Sequence, residues 1–459
     1  MTTAGKQHTD QSIVTASATE LVAALRDRTL SSRELLETFL ARIDELNPSL
    51  NAFVTLDGER ALDAARAADQ ATARGTATGA LHGLPMTIKD AIETAGLRTT
   101  AGAPEMADYV PARDADAVAR LRAHGAVIFG KTNLPVFAMD WQTYNPVVGT
   151  TNNPWDTTRT PGGSSGGAAV AVATGMTGLE LGSDIRGSLR QPAHNTGVFA
   201  LKPTFGIVPV RGHIPGPPGT LSTPDMAVLG PIGRSADDLD LALDVLAGPD
   251  ATMAKAWRLR LPPPRGRSLR DYRIAVWLDD PACPVDAEVL DVLANAVTAL
   301  RGDGLPVDET ARPLTLAEAS QVFEQLFRAA VSPGAADWNI VNEHRQQQRA
   351  QWERFFRSYD AVLTPVSPVA AIPHDHAGEP PSRSIVVNGR LRPYEDQSTW
   401  TGLAAGSYLP AVSVPVGLTR GGLPVGMQVI VPYLEDRTAI DVARQIERCL
   451  GGFQAPPFG

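Results

Sequence analysis

Pro161-Gly162-Gly163-Ser164-Ser165-Gly166-Gly167 and, further on, Gly182-Ser183-Asp184-Ile185-Arg186-Gly187-Ser188-Leu189-Arg190 set serines in two glycine-rich turns. A run of small residues over 168–177 joins them and reads as a tightly packed helix. Glycine beside serine lets backbone come close to a reacting carbonyl and frees N–H groups for an oxyanion. Upstream, Leu84-Pro85-Met86-Thr87-Ile88-Lys89-Asp90 places Lys89 at the end of a short apolar strand. A serine nucleophile needs a base, and a lysine enclosed by apolar residues can give up its charge and become one. Either glycine–serine run alone is explained as a turn. The three elements together point to a serine-based catalytic centre.

Working outward, apolar runs bounded by Gly or Pro recur at 86–89, 126–129, 178–182 and 198–201, then at 273–277, 361–363, 411–416 and 425–431. These are suited to buried strands. Helical stretches between them, such as 115–124, give α/β alternation. Near the N-terminus, Ser17 with Glu20 and Ser31 with Glu34 form capping-box patterns. The second leads into the stripe Leu35, Leu36, Phe39, Leu40, Ile43 and Leu46, with Asn47-Pro48 as the expected stop. Further helices are expected over 59–73 and 437–450. Residues 1–12 read as flexible, and 251–357, with an Arg/Pro-rich link at 262–270, as a helical insertion or cap. The expectation is one domain over 1–459, an α/β fold built on a large mixed sheet.

Composition bounds the function. Of 459 residues, 43% are hydrophobic and 20% charged, with a net charge of −9. That balance is ordinary for a globular chain and argues against nonspecific attraction to nucleic acid or an anionic membrane. Two cysteines, Cys283 and Cys449, are too few for a disulfide framework. The polar start has no apolar signal region and no run is long enough to span a bilayer, so a cytoplasmic location is expected. Gly162 to Gly166 fits the G-x-S-x-G nucleophile elbow, but the polar, turn-forming stretch before it supplies no strand. His374-Asp375-His376 lacks a third ligand, so no metal is expected. No phosphate-binding or dinucleotide fingerprint is present, and no cofactor is expected.

What remains is Lys89, Ser164 and Ser188, and here the chain resembles the amidase signature family, serine hydrolases that use a Ser–cis-Ser–Lys triad. Gly162-Gly163-Ser164-Ser165-Gly166-Gly167 matches that family's G-G-S-S-G-G, and residues 184–190 resemble its D-x-G-G-S-[IV]-R. Leu201-Lys202-Pro203-Thr204, residues 81–90, and the stretches 409–417 and 422–428 resemble further family segments in family order. The resemblance implies the amidase signature fold, a twisted mixed sheet with helices on both faces. It implies Ser188 as nucleophile, Ser164 as the cis-serine bridge and Lys89 as base. Ser165 would help hold the lysine, and Asp184 and Arg190 would brace the nucleophile loop. Backbone N–H groups of Ile185, Arg186, Gly187 and Ser188 would form the oxyanion hole.

Arg186 departs from the family pattern, standing where a glycine is usual. It either points away to pair with an acid, narrows the acyl pocket, or impairs hydrolysis. Met139, Trp141, Tyr144, Gln397 and Trp400 are expected to line an apolar, partly aromatic pocket. The leading expectation is therefore an amidase cleaving C–N bonds of small, mainly apolar amides, with carbamates (a urethanase activity) and esters as side reactions. Its partner would be that small molecule alone, with no nucleic acid or membrane, in a monomer or homodimer. The rival expectations are an amidotransferase subunit serving tRNA-linked Glu or Asp, and a non-catalytic binding protein.

Overall fold

In the computed structural model, which describes residues 12–214, 216–332 and 337–457, one sheet runs through most of the chain. The flexible segment expected at 1–12 lies outside the described residues except for Ser12. The sheet's strands are β1 (Phe53–Leu56), β2 (Pro85–Lys89), β3 (Val127–Thr132), β6 (Glu180–Asp184), β7 (Phe199–Lys202), β8 (Val228–Gly233), β9 (Ile274–Val276), β10 (Val307–Asp308), β11 (Ala361–Pro365), β14 (Ala411–Leu418) and β15 (Pro424–Ile430). Two short hairpins, β4–β5 (Tyr144–Asn145 with Gly149–Thr150) and β12–β13 (Ser384–Val387 with Arg390–Pro393), stand apart. The 11 strands lie in the order β1-β3-β2-β6-β8-β7-β14-β15-β11-β9-β10. Parallel pairs (β2 with β3 and β6) sit beside antiparallel ones (β6–β8, β7–β14, β14–β15), so the sheet is mixed.

Strand residues alternate between two cores, as a pleated strand buried on both faces requires. Phe199 and Leu201 join the larger core, while Ala200 between them joins a second core of Ala168, Ala169, Val172, Leu189 and Ala193. That second core lies under the helices Gly166–Ala173 and Arg190–Thr196, which follow the two glycine–serine runs. Alanine and valine are what let these helices sit so close to the sheet. The opposite face is covered by longer amphipathic helices, including Ala236–Leu246, Ala287–Gly302 and Asp436–Leu450.

Both capping boxes form, Ser17 with Glu20 and Ser31 with Glu34. The second helix passes the expected stop and runs Ser32–Leu50 with Pro48 inside its last turn. It ends at Asn51 in the left-handed region, while the Asn47 side chain accepts from the N–H groups of Ala52 and Phe53 at 2.7 and 3.2 Å. The proline therefore costs one backbone donor near an end that side chains already cap. Residues 251–357 hold three long helices and also β9 and β10, which extend the sheet edge next to β11. Among the described residues no helix is long and apolar enough to cross a membrane.

Candidate catalytic site

β2 and β6 lie side by side, and their C-terminal ends carry Lys89 and Asp184. The Gly163–Ser164 peptide is cis. The turn it forms leads into the helix Gly166–Ala173 and brings two serine hydroxyls onto the lysine. Lys89 Nζ lies 2.7 Å from Ser164 Oγ, 2.9 Å from Ser165 Oγ and 3.0 Å from Ser183 Oγ. Lys89 is fully buried. Burial pushes its pKa from 10.5 down to about 7, against the opposing pull of Asp184 and Glu180. His213 adds no positive charge beside the lysine. Its ring nitrogens are sealed and unpartnered among the described residues, and burial plus the nearby Lys89 push its pKa to about 3.

Gly163 permits the turn because a Cβ there would meet Asp140 O at 2.4 Å. Its N–H donates to Gln191 Oε1 at 3.0 Å, and Gln191 Nε2 donates to Gln397 Oε1 at 3.2 Å. Gln397, expected in the pocket, is buried and acts as a strut behind this turn.

Ser188 sits at the other turn, nearly buried, and its hydroxyl makes no hydrogen bond among the described residues. The loop that presents it is braced by Asp184 and Arg190, both with fully buried side chains. Arg190 donates from Nε and Nη2 to the two Asp184 oxygens at 3.0 and 2.9 Å. Asp184 further accepts from the N–H groups of Gly187 at 2.8 Å and Leu189 at 3.1 Å. Burial alone would raise the Asp184 pKa, but Arg190 and these hydrogen bonds hold it below the usual carboxylate range. Gly187 is thus a correction to the expected oxyanion hole, since its N–H is spent on Asp184. The N–H groups of Ile185, Arg186 and Ser188 have no protein partner among the described residues. Gly187 has φ +102°, and a Cβ there would meet Thr401 Oγ1 at 2.7 Å.

Arg186 adopts an ordinary backbone conformation and is not among the positive-φ residues. Its guanidinium pairs with Glu324 and donates from Nη2 to Ser398 Oγ at 2.9 Å, while Nε has no partner among the described residues. Three rings surround it, Phe327, Trp141 and Phe323, with centroids 4.3, 4.8 and 5.7 Å away. So the arginine both pairs with an acid and fills aromatic space.

The other expected pocket residues divide. Trp141 is beside Arg186, with Nε1 donating to Arg186 O at 3.3 Å. Tyr144 is stacked on His376 (centroids 3.8 Å apart), and its hydroxyl accepts from Arg383 at 2.6 Å. Arg383 in turn donates to Asp140 Oδ2 at 2.7 Å, a buried pair that anchors the segment carrying Trp141. Two placements are corrected. Met139 is exposed, and Trp400 is a core residue packed edge-on against Trp277 with centroids 5.5 Å apart. His374 contacts Asn152, and no cluster of three or more metal-ligating side chains occurs among the described residues.

Sequence reasoning missed Ser183, Phe323, Glu324 and Phe327. It also missed Glu180, fully buried behind Lys89. Thr87 and Thr132 donate to its carboxyl, yet burial pushes its pKa up to about 8. A charged residue inside the apolar strand pattern of β6 was the available signal for Glu180. Phe323, Glu324 and Phe327 carried none, because they lie on a helix, Leu316–Val331, remote in sequence from every motif.

A family model described as Amidase matches residues 34–337 and 332–440. A glutamyl-tRNA(Gln) amidotransferase subunit from Azoarcus sp. (strain BH72) is 34% identical, over 95% of this chain and 98% of that protein. Among solved structures, a bacterial aryl acylamidase of the amidase signature family superposes with a TM-score of 0.80 at 25% identity, covering 95% of this chain and 96% of that one. The corresponding glutamyl-tRNA(Gln) amidotransferase subunit from Thermotoga maritima gives 0.78 at 26% identity, covering 97% and 98%. The expected partnership, a small molecule alone with no nucleic acid, is corrected by these relatives, which are named as subunits of an enzyme for glutamyl-tRNA(Gln). Net negative charge speaks only to nonspecific attraction, so it gave no ground for excluding a nucleic-acid partner.

Proposed function

The chain belongs to the amidase signature family, and on that premise we propose that it cleaves amide C–N bonds through an acyl-enzyme on Ser188. The observation that carries this is the 2.7 Å contact between Lys89 Nζ and Ser164 Oγ inside a sealed site. Once substrate brings the Ser188 hydroxyl, unpaired among the described residues, within hydrogen-bond reach of Ser164, neutral Lys89 takes the Ser164 proton as Ser164 takes that of Ser188. The Ser188 oxygen adds to the carbonyl carbon, and the carbonyl electron pair moves to oxygen, facing the free N–H groups of Ile185, Arg186 and Ser188. Each such donor is typically worth about 3–4 kcal/mol in the transition state. Collapse breaks the C–N bond while Ser164 returns a proton to the leaving nitrogen. Water then attacks the ester, and the same relay restores Ser188.

For the amide itself, the amidotransferase reading has the better support: that relative aligns over nearly its whole length. On this reading the chain frees ammonia from glutamine beside further subunits, for use on a glutamyl- or aspartyl-tRNA. A second reading, small aryl or alkyl amides and carbamates, is favoured by one observation, the rings of Trp141, Phe323 and Phe327 gathered around Arg186, two residues before Ser188. The deciding experiment supplies the purified chain with glutamine, simple anilides and carbamates, each against Ser188→Ala. Ser188-dependent ammonia release from glutamine supports the first reading. Ser188-dependent anilide or carbamate turnover without it transfers the proposal to the second. An active-site sulfonyl fluoride that leaves Ser188 unlabelled would sink the acyl-enzyme itself.

A further inference from the structure

Building on that serine-amidase reading, we propose that Arg186 is a specificity-determining plug that shortens the acyl side of the site and restricts the chain to compact acyl groups. Arg186 stands two residues before Ser188 and carries one of the unpaired backbone N–H groups, so its side chain leaves the chain from the nucleophile loop itself. The volume it fills is well defined. The side chain is only 12% exposed and is clasped by Trp141 and Phe327, with Phe323 at the far edge. Elements far apart in sequence hold it: Glu324 on the helix Leu316–Val331, and Ser398 at the end of the turn Tyr394–Ser398. Its backbone carbonyl is fixed separately, accepting from Trp141 Nε1 at 3.3 Å and Thr401 Oγ1 at 3.2 Å. Two of those rings, Phe323 and Phe327, belong to a buried apolar cluster with Leu326, Val341 and Ala405, against which Ile185 packs. Without the Arg186 side chain the volume it fills, walled by Trp141, Phe323 and Phe327, would be an apolar space beside the nucleophile loop suited to a longer acyl chain. Glu324 is what makes the plug stay, because a guanidinium among three rings still needs a counter-charge.

The test measures kcat/KM for straight-chain anilides from acetyl to decanoyl on wild type, Arg186→Gly, Arg186→Met and Glu324→Gln. Removing the plug should raise the ratio of long-chain to acetyl turnover by at least about tenfold in Arg186→Gly, the scale of a few methylenes gaining a pocket. Arg186→Met, which fills similar space without charge, should keep the wild-type ratio. Glu324→Gln, which loosens the tether without opening a cavity, should shift the ratio the same way as glycine but less. An unmoved ratio in folded Arg186→Gly, or in Glu324→Gln should the glycine variant fail to fold, overturns the proposal, as does a methionine variant that behaves like glycine. Sulfonyl fluoride labelling of wild-type Ser188 keeps the outcomes separate. Full labelling with an unmoved ratio refutes only the plug, whereas absent labelling refutes the serine reading beneath it.

Discussion

Replacing Lys89 by methionine tests whether the buried amine is the base. At an ordinary pKa of 10.5, about one lysine in three thousand is neutral at pH 7; at about 7, half are. The enclosure therefore raises the base-competent population about a thousandfold, equivalent to about 5 kcal/mol of disfavoured charge. In wild type, kcat/KM should rise about tenfold per pH unit up to near pH 7 and level off above it. Lys89→Met should lose two to four orders of magnitude in kcat, the usual scale for a general base, and with them the acid limb of the profile. The assay is kcat/KM between pH 5 and 10 on whichever amide proves to be turned over. A rise centred near pH 10 would mean the lysine is solvated and unactivated. Methionine activity within a few-fold of wild type would put the base elsewhere.

Stability should move the other way. The folded pKa lies below the unfolded one, so between about pH 7 and 10.5 the unfolded chain binds the extra proton. Wild-type stability is therefore highest, as far as this group is concerned, above 10.5; it falls as pH drops through that window and stays at its lower level below about 7. Methionine removes this cost but forfeits three hydrogen bonds worth about 1 kcal/mol each. The balance at pH 7 favours the dead variant by about 1–2 kcal/mol; the gain should vanish at about pH 8 and reverse to a deficit of about 2 kcal/mol at pH 10. Urea melts at pH 7 and pH 10 read this directly, and a methionine variant less stable at both would refute the reasoning.

Two further substitutions probe the frame around Ser188. Arg190→Met strands the Asp184 carboxylate in a fully buried site, so unfolding melts should show a loss of about 3–5 kcal/mol, partly recovered by adding Asp184→Asn. Gly187→Ala forces a side chain into φ +102° and against Thr401 Oγ1 at 2.7 Å. Its kcat should fall with the displaced Ser188 turn, and Thr401→Ala should restore the space but not the backbone conformation, leaving rescue incomplete by kinetic assay.

Much of the fold was legible because the sheet is built from strands that announce themselves. β2, β3, β7, β11, β14 and β15 are apolar runs between turn residues, and each was expected within a few positions of where it lies. β8 was not, although it sits in the middle of the sheet between β6 and β7. Its sequence Val228-Leu229-Gly230-Pro231-Ile232-Gly233 carries the very residues that ordinarily demote a strand. Gly230 is there because a Cβ would run into Leu201 O at 2.1 Å, so the close approach of β7 that hides the strand from a reader also requires the glycine. β1 was missed for the opposite reason, being an edge strand of four residues with only one fully buried.

The same contrast separates the two halves of the site. Lys89, Ser164, Ser165, Asp184, Ser188 and Arg190, to which we assign the chemistry, could be singled out because each lies in a short local motif whose backbone demands, glycines above all, leave a mark in the sequence. The walls of the substrate space leave none. Phe323, Glu324 and Phe327 are an ordinary stretch of amphipathic helix until folding brings them over Arg186. Trp400 shows the converse, a tryptophan near the right segment that the core claims instead. What a lone sequence exposes is therefore the bond-breaking apparatus, whose geometry is local. What decides the substrate is long-range packing around one unusual residue, Arg186, and its contacts with Trp141, Glu324 and Ser398 are where specificity should be sought.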